Sequence, residues 1–244
     1  GVKTRIKSAV IHIDTSQRSE ELDKTDRRYG YTNYSGPAFL PKEYSWYGWN
    51  PYNSNTTMEE GFIKKIPSNS KLLLQITYKE GQKPAIDSMS NIVVWFSKEL
   101  PSTKLITSDF IIDTTHLIKT PFIIKKNECK TINAERIIEK DMLIHAISPQ
   151  GQNLLQSYKI FAITKNEESV PILSIPKWDS HMKTKYHFKQ PIRIEKGDKI
   201  IIEATYNFTE ENTTLPLIPL GRVLYGNGSR DELFLVSFDT SDLQ

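Results

Sequence analysis

Apolar and polar residues alternate in short runs along most of this chain. In Lys199-Ile200-Ile201-Ile202-Glu203-Ala204-Thr205-Tyr206, every second side chain can face a core. That is the period of a strand, not of a helix. Similar runs, rich in β-branched and aromatic residues, predict strands at about Ser8–Asp14, Lys71–Tyr78, Asn91–Ser97, Lys104–Ile112 and Pro121–Lys125. Further strands are predicted at about Met142–Ile147, Gln156–Ile163, Val170–Ile175, Lys185–Glu195, Lys199–Asn207 and Leu233–Asp239. Ile132–Glu139 contains good helix formers and is read as a strand followed by a turn. Leu72-Leu73-Leu74 and Ile200-Ile201-Ile202 are expected to feed the core, with Ile201 buried.

Turn residues separate these runs. Glu195-Lys196-Gly197-Asp198-Lys199 and Lys79-Glu80-Gly81-Gln82 read as hairpin turns. Strands at this density predict an all-β chain built as two tandem antiparallel β-sandwiches of the jelly-roll kind. Glu99-Leu100-Pro101-Ser102, where an apolar run ends in a charged, proline-containing stretch, is the expected boundary. It divides the chain into residues 1–100 and 101–244, each about the size of one sandwich. No internal repeat is visible.

Composition narrows the class. With 38% hydrophobic and 25% charged residues over 244 positions, this is a foldable chain rather than a disordered one. Thirty-two basic against 29 acidic residues leave a net charge of +3, with the charges interspersed, so no nucleic-acid partner is expected. No apolar run approaches the ~18 residues of a membrane-spanning helix. A single cysteine, Cys129, excludes an internal disulfide and a Cys-x-x-Cys metal site. The first five residues carry no signal peptide, so either the chain is cytoplasmic or a leader lies outside it. Asn-x-Ser/Thr sequons at Asn33, Asn55, Asn207, Asn212 and Asn227 are what a chain rich in Asn, Ser and Thr produces by chance.

Little catalytic chemistry is written locally. His12, His116, His145, His181 and His187 include no pair at i, i+2 or i, i+4 spacing, so no local metal pair exists. His12 and His145 lie in apolar strands and read as sheet histidines. Cys129 has no nucleophile context, and neither a phosphate-binding loop nor a Gly-x-Ser-x-Gly elbow occurs. Tyr44-Ser45-Trp46-Tyr47-Gly48-Trp49-Asn50-Pro51-Tyr52 is the densest aromatic stretch. Read as a loop, its rings Tyr44, Trp46, Tyr47, Trp49 and Tyr52 either stack on a sugar or peptide or cap a sandwich end.

The second half carries a longer pattern: Pro171-Ile172-Leu173-Ser174-Ile175-Pro176-Lys177-Trp178-Asp179, then Lys185-Tyr186-His187-Phe188, Pro191-Ile192-Arg193-Ile194-Glu195-Lys196-Gly197-Asp198, Ala204-Thr205-Tyr206-Asn207 and Asp231-Glu232-Leu233. It resembles the copper type II, ascorbate-dependent monooxygenases, the peptidylglycine-hydroxylating and dopamine β-hydroxylase family, and especially its bacterial relatives. In the first half, Gly48-Trp49-Asn50-Pro51 resembles that family's Gly-Trp-Ala-Pro, and Leu74-Gln75-Ile76-Thr77-Tyr78 its Gln-x-His-Tyr strand. The resemblance implies two tandem sandwiches, an extracytoplasmic location in the periplasm or at the cell surface, and copper sites facing a cleft.

The ligand positions depart from the family. Its oxygen-activating copper is held by a His-x-His and a methionine, which fall here on Gln150, Gln152 and Leu233. The other copper is held by a His-His pair and a third histidine, which fall on Lys7, Ser8 and Thr77. A copper that cycles between two oxidation states needs imidazole and thioether donors, and none of the six positions supplies one. The resemblance therefore implies a chain without catalytic copper or other cofactor, acting as a binding or structural subunit beside protein partners. An active copper monooxygenase with displaced ligands and a carbohydrate- or peptide-binding module using the aromatic stretch are the alternatives.

Overall fold

The computed structural model describes residues 5–26, 30, 45–49, 63–78, 91–96, 107–119, 121–180, 185–212, 221–226 and 231–243. The chain is mostly strand, and it divides into two compact units, Gly1–Asp109 and Phe110–Gln244. The expected boundary at 99–102 and the predicted turn at 79–82 lie outside the described residues.

In the first unit, β1 (Ile6–Asp14) is the centre of a three-stranded antiparallel sheet between β2 (Ser45–Trp49) and β3 (Lys71–Tyr78). β1 leads into a helix, α1 (Arg18–Thr25), which the strand pattern did not anticipate. Asp14 is fully buried at this junction. It accepts hydrogen bonds from the Ser16 amide (2.8 Å) and hydroxyl (2.6 Å) and from the Ser19 amide (2.8 Å) and hydroxyl (2.5 Å). Its carboxylate thus satisfies an amide in the first turn of α1, a task the Gln17 cap leaves undone. Glu20 then bridges Lys24 of its own helix (2.7 Å) and Lys71 of β3 (2.9 Å).

The predicted strand at Asn91–Ser97 is a correction. Residues 91–96 form no strand, and Ser97 lies outside the described residues. Val93, Trp95 and Phe96 are 61%, 85% and 77% exposed, and among the described residues no strand pairs with this apolar alternation.

The second unit holds two four-stranded sheets and a ribbon. One sheet runs β10 (Tyr186–Ile194), β7 (Met142–Gln150), β13 (Leu235–Asp242), β4 (Thr107–Asp113). The other runs β6 (Cys129–Ile137), β11 (Lys199–Asn207), β8 (Leu155–Ile163), β9 (Ser169–Ile175). β5 (Ile123–Lys125) and β12 (Arg222–Leu224) pair as the ribbon. Ile112, Ile144, Ile147, Ile194, Val236 and Phe238 of the first sheet share one core with Ile132, Tyr158, Ile160, Ile200, Ile202 and Tyr206 of the second. The arrangement is sandwich-like: each sheet hides one face against the other.

Two expectations fail here for a common reason. Glu195–Lys199 turns the chain, with Gly197 at φ +91°, but it does not close a hairpin. β10 and β11 belong to different sheets, and the turn carries the chain across the sandwich. Asp198 fixes it, its carboxylate accepting the amides of Glu195 (2.9 Å) and Lys165 (3.1 Å). Ile201 is the other correction. Ile200, Ile202, Ala204 and Tyr206 are fully buried, so β11 presents its even-numbered residues to the core and leaves Ile201 half-buried on the outer face. Ile200→Ala or Ile202→Ala should therefore cost about 2–5 kcal/mol in denaturant unfolding, and Ile201→Ala clearly less. Equal losses at 201 and 202 would reverse this register.

Candidate functional site

The three positions Gln150, Gln152 and Leu233 come together in the second unit, around a fourth residue. Gln150 ends β7 and stands opposite Leu235 of β13. After Gln150 the chain turns through Gly151 into β8. A side chain at 151 would overlap that of Leu155, so any other residue here would force Leu155 to move. Leu233 is buried just before β13. Between them lies Glu232, fully buried in an otherwise apolar stretch.

Glu232 faces backbone on both sides. Its Oε1 accepts the amides of Gln152 and of Leu233 (2.8 Å), and its Oε2 accepts the amide of Leu154 (2.8 Å). Burial raises its pKa above the ordinary carboxyl value, and the amides of Leu233, Leu154, Gln152 and Leu155 oppose that rise by favouring the charged form. Two tyrosines frame the same place. Tyr158 donates its hydroxyl to the Gln150 carbonyl (2.8 Å), and Tyr206 donates to the Leu233 carbonyl (2.8 Å). Burial pushes both phenols above their ordinary value, which keeps them protonated and donating. The Gln152 side chain points at the Gly226 carbonyl (3.5 Å).

This set does not fit copper. Gln150 and Gln152 carry neutral amides, and Leu233 has no donor atom. His145 lies on the same strand as Gln150 and is buried, with Nε2 2.8 Å from the Ser241 hydroxyl. One imidazole cannot hold a copper through a redox cycle.

In the first unit, Ser8 and Thr77 are cross-strand partners in the β1–β3 register. Lys7 is exposed where that register shifts, Thr77 is exposed and Ser8 is half-buried. The positions again adjoin, and again none offers an imidazole. His12, further along β1, is buried against Gln75, with Nε2 2.9 Å from the amide oxygen. Burial lowers its pKa, and the Gln75 contact opposes that shift.

The aromatic stretch is not a loop over its middle: Ser45–Trp49, with Trp46, Tyr47 and Trp49, forms strand β2 paired with β1. Tyr44 and Tyr52 lie outside the described residues. Trp178, in the Pro-Lys-Trp-Asp stretch, packs edge-on against the Tyr158 ring at 5.7 Å.

Glu232, Tyr158, Tyr206 and Asp14 were missed by sequence reasoning. For Glu232 the available signal was a carboxylate directly preceding the apolar run Leu233-Phe234-Leu235-Val236. For the tyrosines it was their place on the core side of an alternating strand.

No family model matches the chain, and no curated protein matches it. Among solved structures it is similar to that of infectious bursal disease virus Gt strain, with 9% identity and a TM-score of 0.21 over 98% of this chain and 53% of that one. The Gx strain structure gives 12% identity and a TM-score of 0.22 over 97% and 53%. The chain spans about half the length of those viral chains. Likenesses this slight carry nothing about function.

Asp14 and Glu232, both fully buried, respond to pH in opposite directions. Asp14 feels burial, which opposes ionisation, but its four hydrogen bonds from Ser16 and Ser19 outweigh it and draw the pKa down to about 2 from 3.8. A depressed pKa contributes stability above the unfolded value and loses it as pH falls through the folded one. Wild-type protein should lose about 2 kcal/mol between about pH 4 and pH 2 that Asp14→Asn does not lose, measured as unfolding free energy against pH. Glu232, with a raised pKa, contributes most below its ordinary value of 4.5 and loses that contribution as pH rises through the folded value. Glu232→Gln should abolish that slope above pH 4.5. At neutral pH it should cost about 1–3 kcal/mol, because an NH2 group then faces backbone donors. A neutral or stabilising Gln would show that the carboxylate's burial cost exceeds its hydrogen bonds.

Proposed function

We propose that this chain is a non-catalytic relative of the copper type II, ascorbate-dependent monooxygenases. In this reading it is two tandem jelly-roll sandwiches serving as a binding or structural subunit of an extracytoplasmic assembly. The observation that supports the reading is that Gln150, Gln152 and Leu233 neighbour one another: the backbone amides of Gln152 and Leu233 both bond Glu232, and Gln150 stands opposite Leu235. Segments some 80 positions apart in sequence adjoin here, and these positions offer amides and a methyl surface in place of imidazoles and a thioether. Ser8 beside Thr77 repeats the pattern in the first unit. Neither set offers the imidazole and thioether donors that a redox copper needs.

Copper and ascorbate added to purified protein should give neither stoichiometric metal retention nor oxygen uptake above a free-copper control. Two tightly held equivalents, or ascorbate-dependent hydroxylation of a glycine-extended peptide or a phenethylamine, would overturn the proposal. A restoring variant tests the alignment itself. Gln150→His, Gln152→His and Leu233→Met combined should raise copper affinity on the order of tenfold or more over the natural chain. A folded triple variant with unchanged affinity would show that these positions do not share a site.

A further inference from the structure

We infer that the outer face of the β5–β12 ribbon is a docking surface for an acidic, partly apolar segment of a partner protein. The ribbon has two unlike faces. Ile124 and Val223, opposite each other, are buried in the core. The alternate residues face outward in two rows, Lys125 opposite Arg222 and Ile123 opposite Leu224. Lys125 and Arg222 are exposed, as is Leu224 at 43%, and Ile123 is half-buried.

Two cations directly opposite each other in a ladder repel and destabilise it. Among the described residues neither is ion-paired, and the exposed Lys126 on the following turn adds a third positive charge. Glu128 places one carboxylate beside this cluster without forming an ion pair to Lys125 or Arg222, which leaves the patch net positive. Its carboxylate is engaged by the Lys125 backbone amide at 2.7 Å. Lys130 brings a further ammonium to the ribbon's edge, donating to the Ile123 carbonyl at 2.8 Å. Unpaired charge on a face that also exposes leucine and isoleucine is complementary to carboxylates interleaved with apolar side chains. An anionic membrane is held by cations clustered beside a membrane anchor, and a nucleic acid needs a basic stripe along its phosphates, whereas here the cations stand next to an exposed leucine on a short ribbon.

This names a partner class for the binding role proposed above and rests on that reading only for the role. Copper loading and peptide binding are separate measurements, and either can fail alone. The probe is a fluorescent peptide of alternating Glu and Leu, titrated by anisotropy, with a Lys and Leu peptide as control. The natural chain should bind the acidic peptide only, and more weakly as salt rises from about 50 to about 200 mM. Lys125→Glu should weaken binding on the order of tenfold, and so should Arg222→Glu. Each single reversal also turns a repulsive cross-strand pair into an attractive one, so its thermal midpoint should hold or rise by a few degrees. Loss of peptide binding therefore cannot be ascribed to unfolding. Equal binding by natural and reversed chains would overturn the inference. So would tighter binding to phosphatidylglycerol vesicles or a short DNA duplex that the same reversals abolish.

Discussion

A carboxylate sealed from water must find donors, and Glu232 finds its own in the backbone of two separate stretches. The amides of Gln152 and Leu154 lie just before β8, and that of Leu233 just before β13. β8 and β13 belong to opposite sheets of the sandwich-like unit. One side chain therefore fastens the entry of a strand in each layer. Tyr158 and Tyr206 reinforce it from the other layer by capturing carbonyls at Gln150 and Leu233. These bonds satisfy turn backbone that would otherwise be buried without partners, at a cost of about 1–3 kcal/mol for each unpaired group. Hydrophobic burial holds the two sheets together, and this polar knot fixes how the strands enter them.

Strands were legible because the period of two survives in the sequence wherever one face is buried. Lys71–Tyr78 and Lys199–Asn207 keep the predicted limits. What the period does not encode is which sheet a strand joins. Glu195–Lys199 has every residue a hairpin turn needs, and it crosses between layers instead, because Asp198 and Gly197 serve either geometry equally. Three successive isoleucines at 200–202 likewise hide the register, since both faces look apolar and only the partner strands decide. The helix α1 follows from a device without periodicity, a buried aspartate fastening the two serines beyond it.

The candidate site was legible as positions and not as interactions. The family resemblance pointed to Gln150, Gln152, Leu233, Lys7, Ser8 and Thr77; the first three are neighbours in one unit, and in the other Ser8 pairs with Thr77 beside Lys7 at the register shift. The residue on which the first set depends, Glu232, was in plain view within Asp231-Glu232-Leu233 and read only as the flank of a ligand position. A lone carboxylate beside apolar residues gives no local sign of whether it ends a strand in water or anchors backbone in the interior. That distinction is made by segments some 80 residues away in the chain.

The polar groups of this knot are turned toward backbone. Glu232 takes amides, the tyrosines take carbonyls, and the Gln152 side chain reaches the Gly226 carbonyl. An active site keeps groups poised for substrate, often at a cost in stability, whereas this arrangement uses its hydrogen-bonding capacity on the fold itself. The β5–β12 ribbon behaves in the opposite way. It holds Lys125 against Arg222, neither of them ion-paired among the described residues, and leaves leucine exposed beside them. Unsatisfied charge in the second unit thus sits on its surface at the ribbon, while the buried polar groups around Glu232 are used on the fold's own backbone.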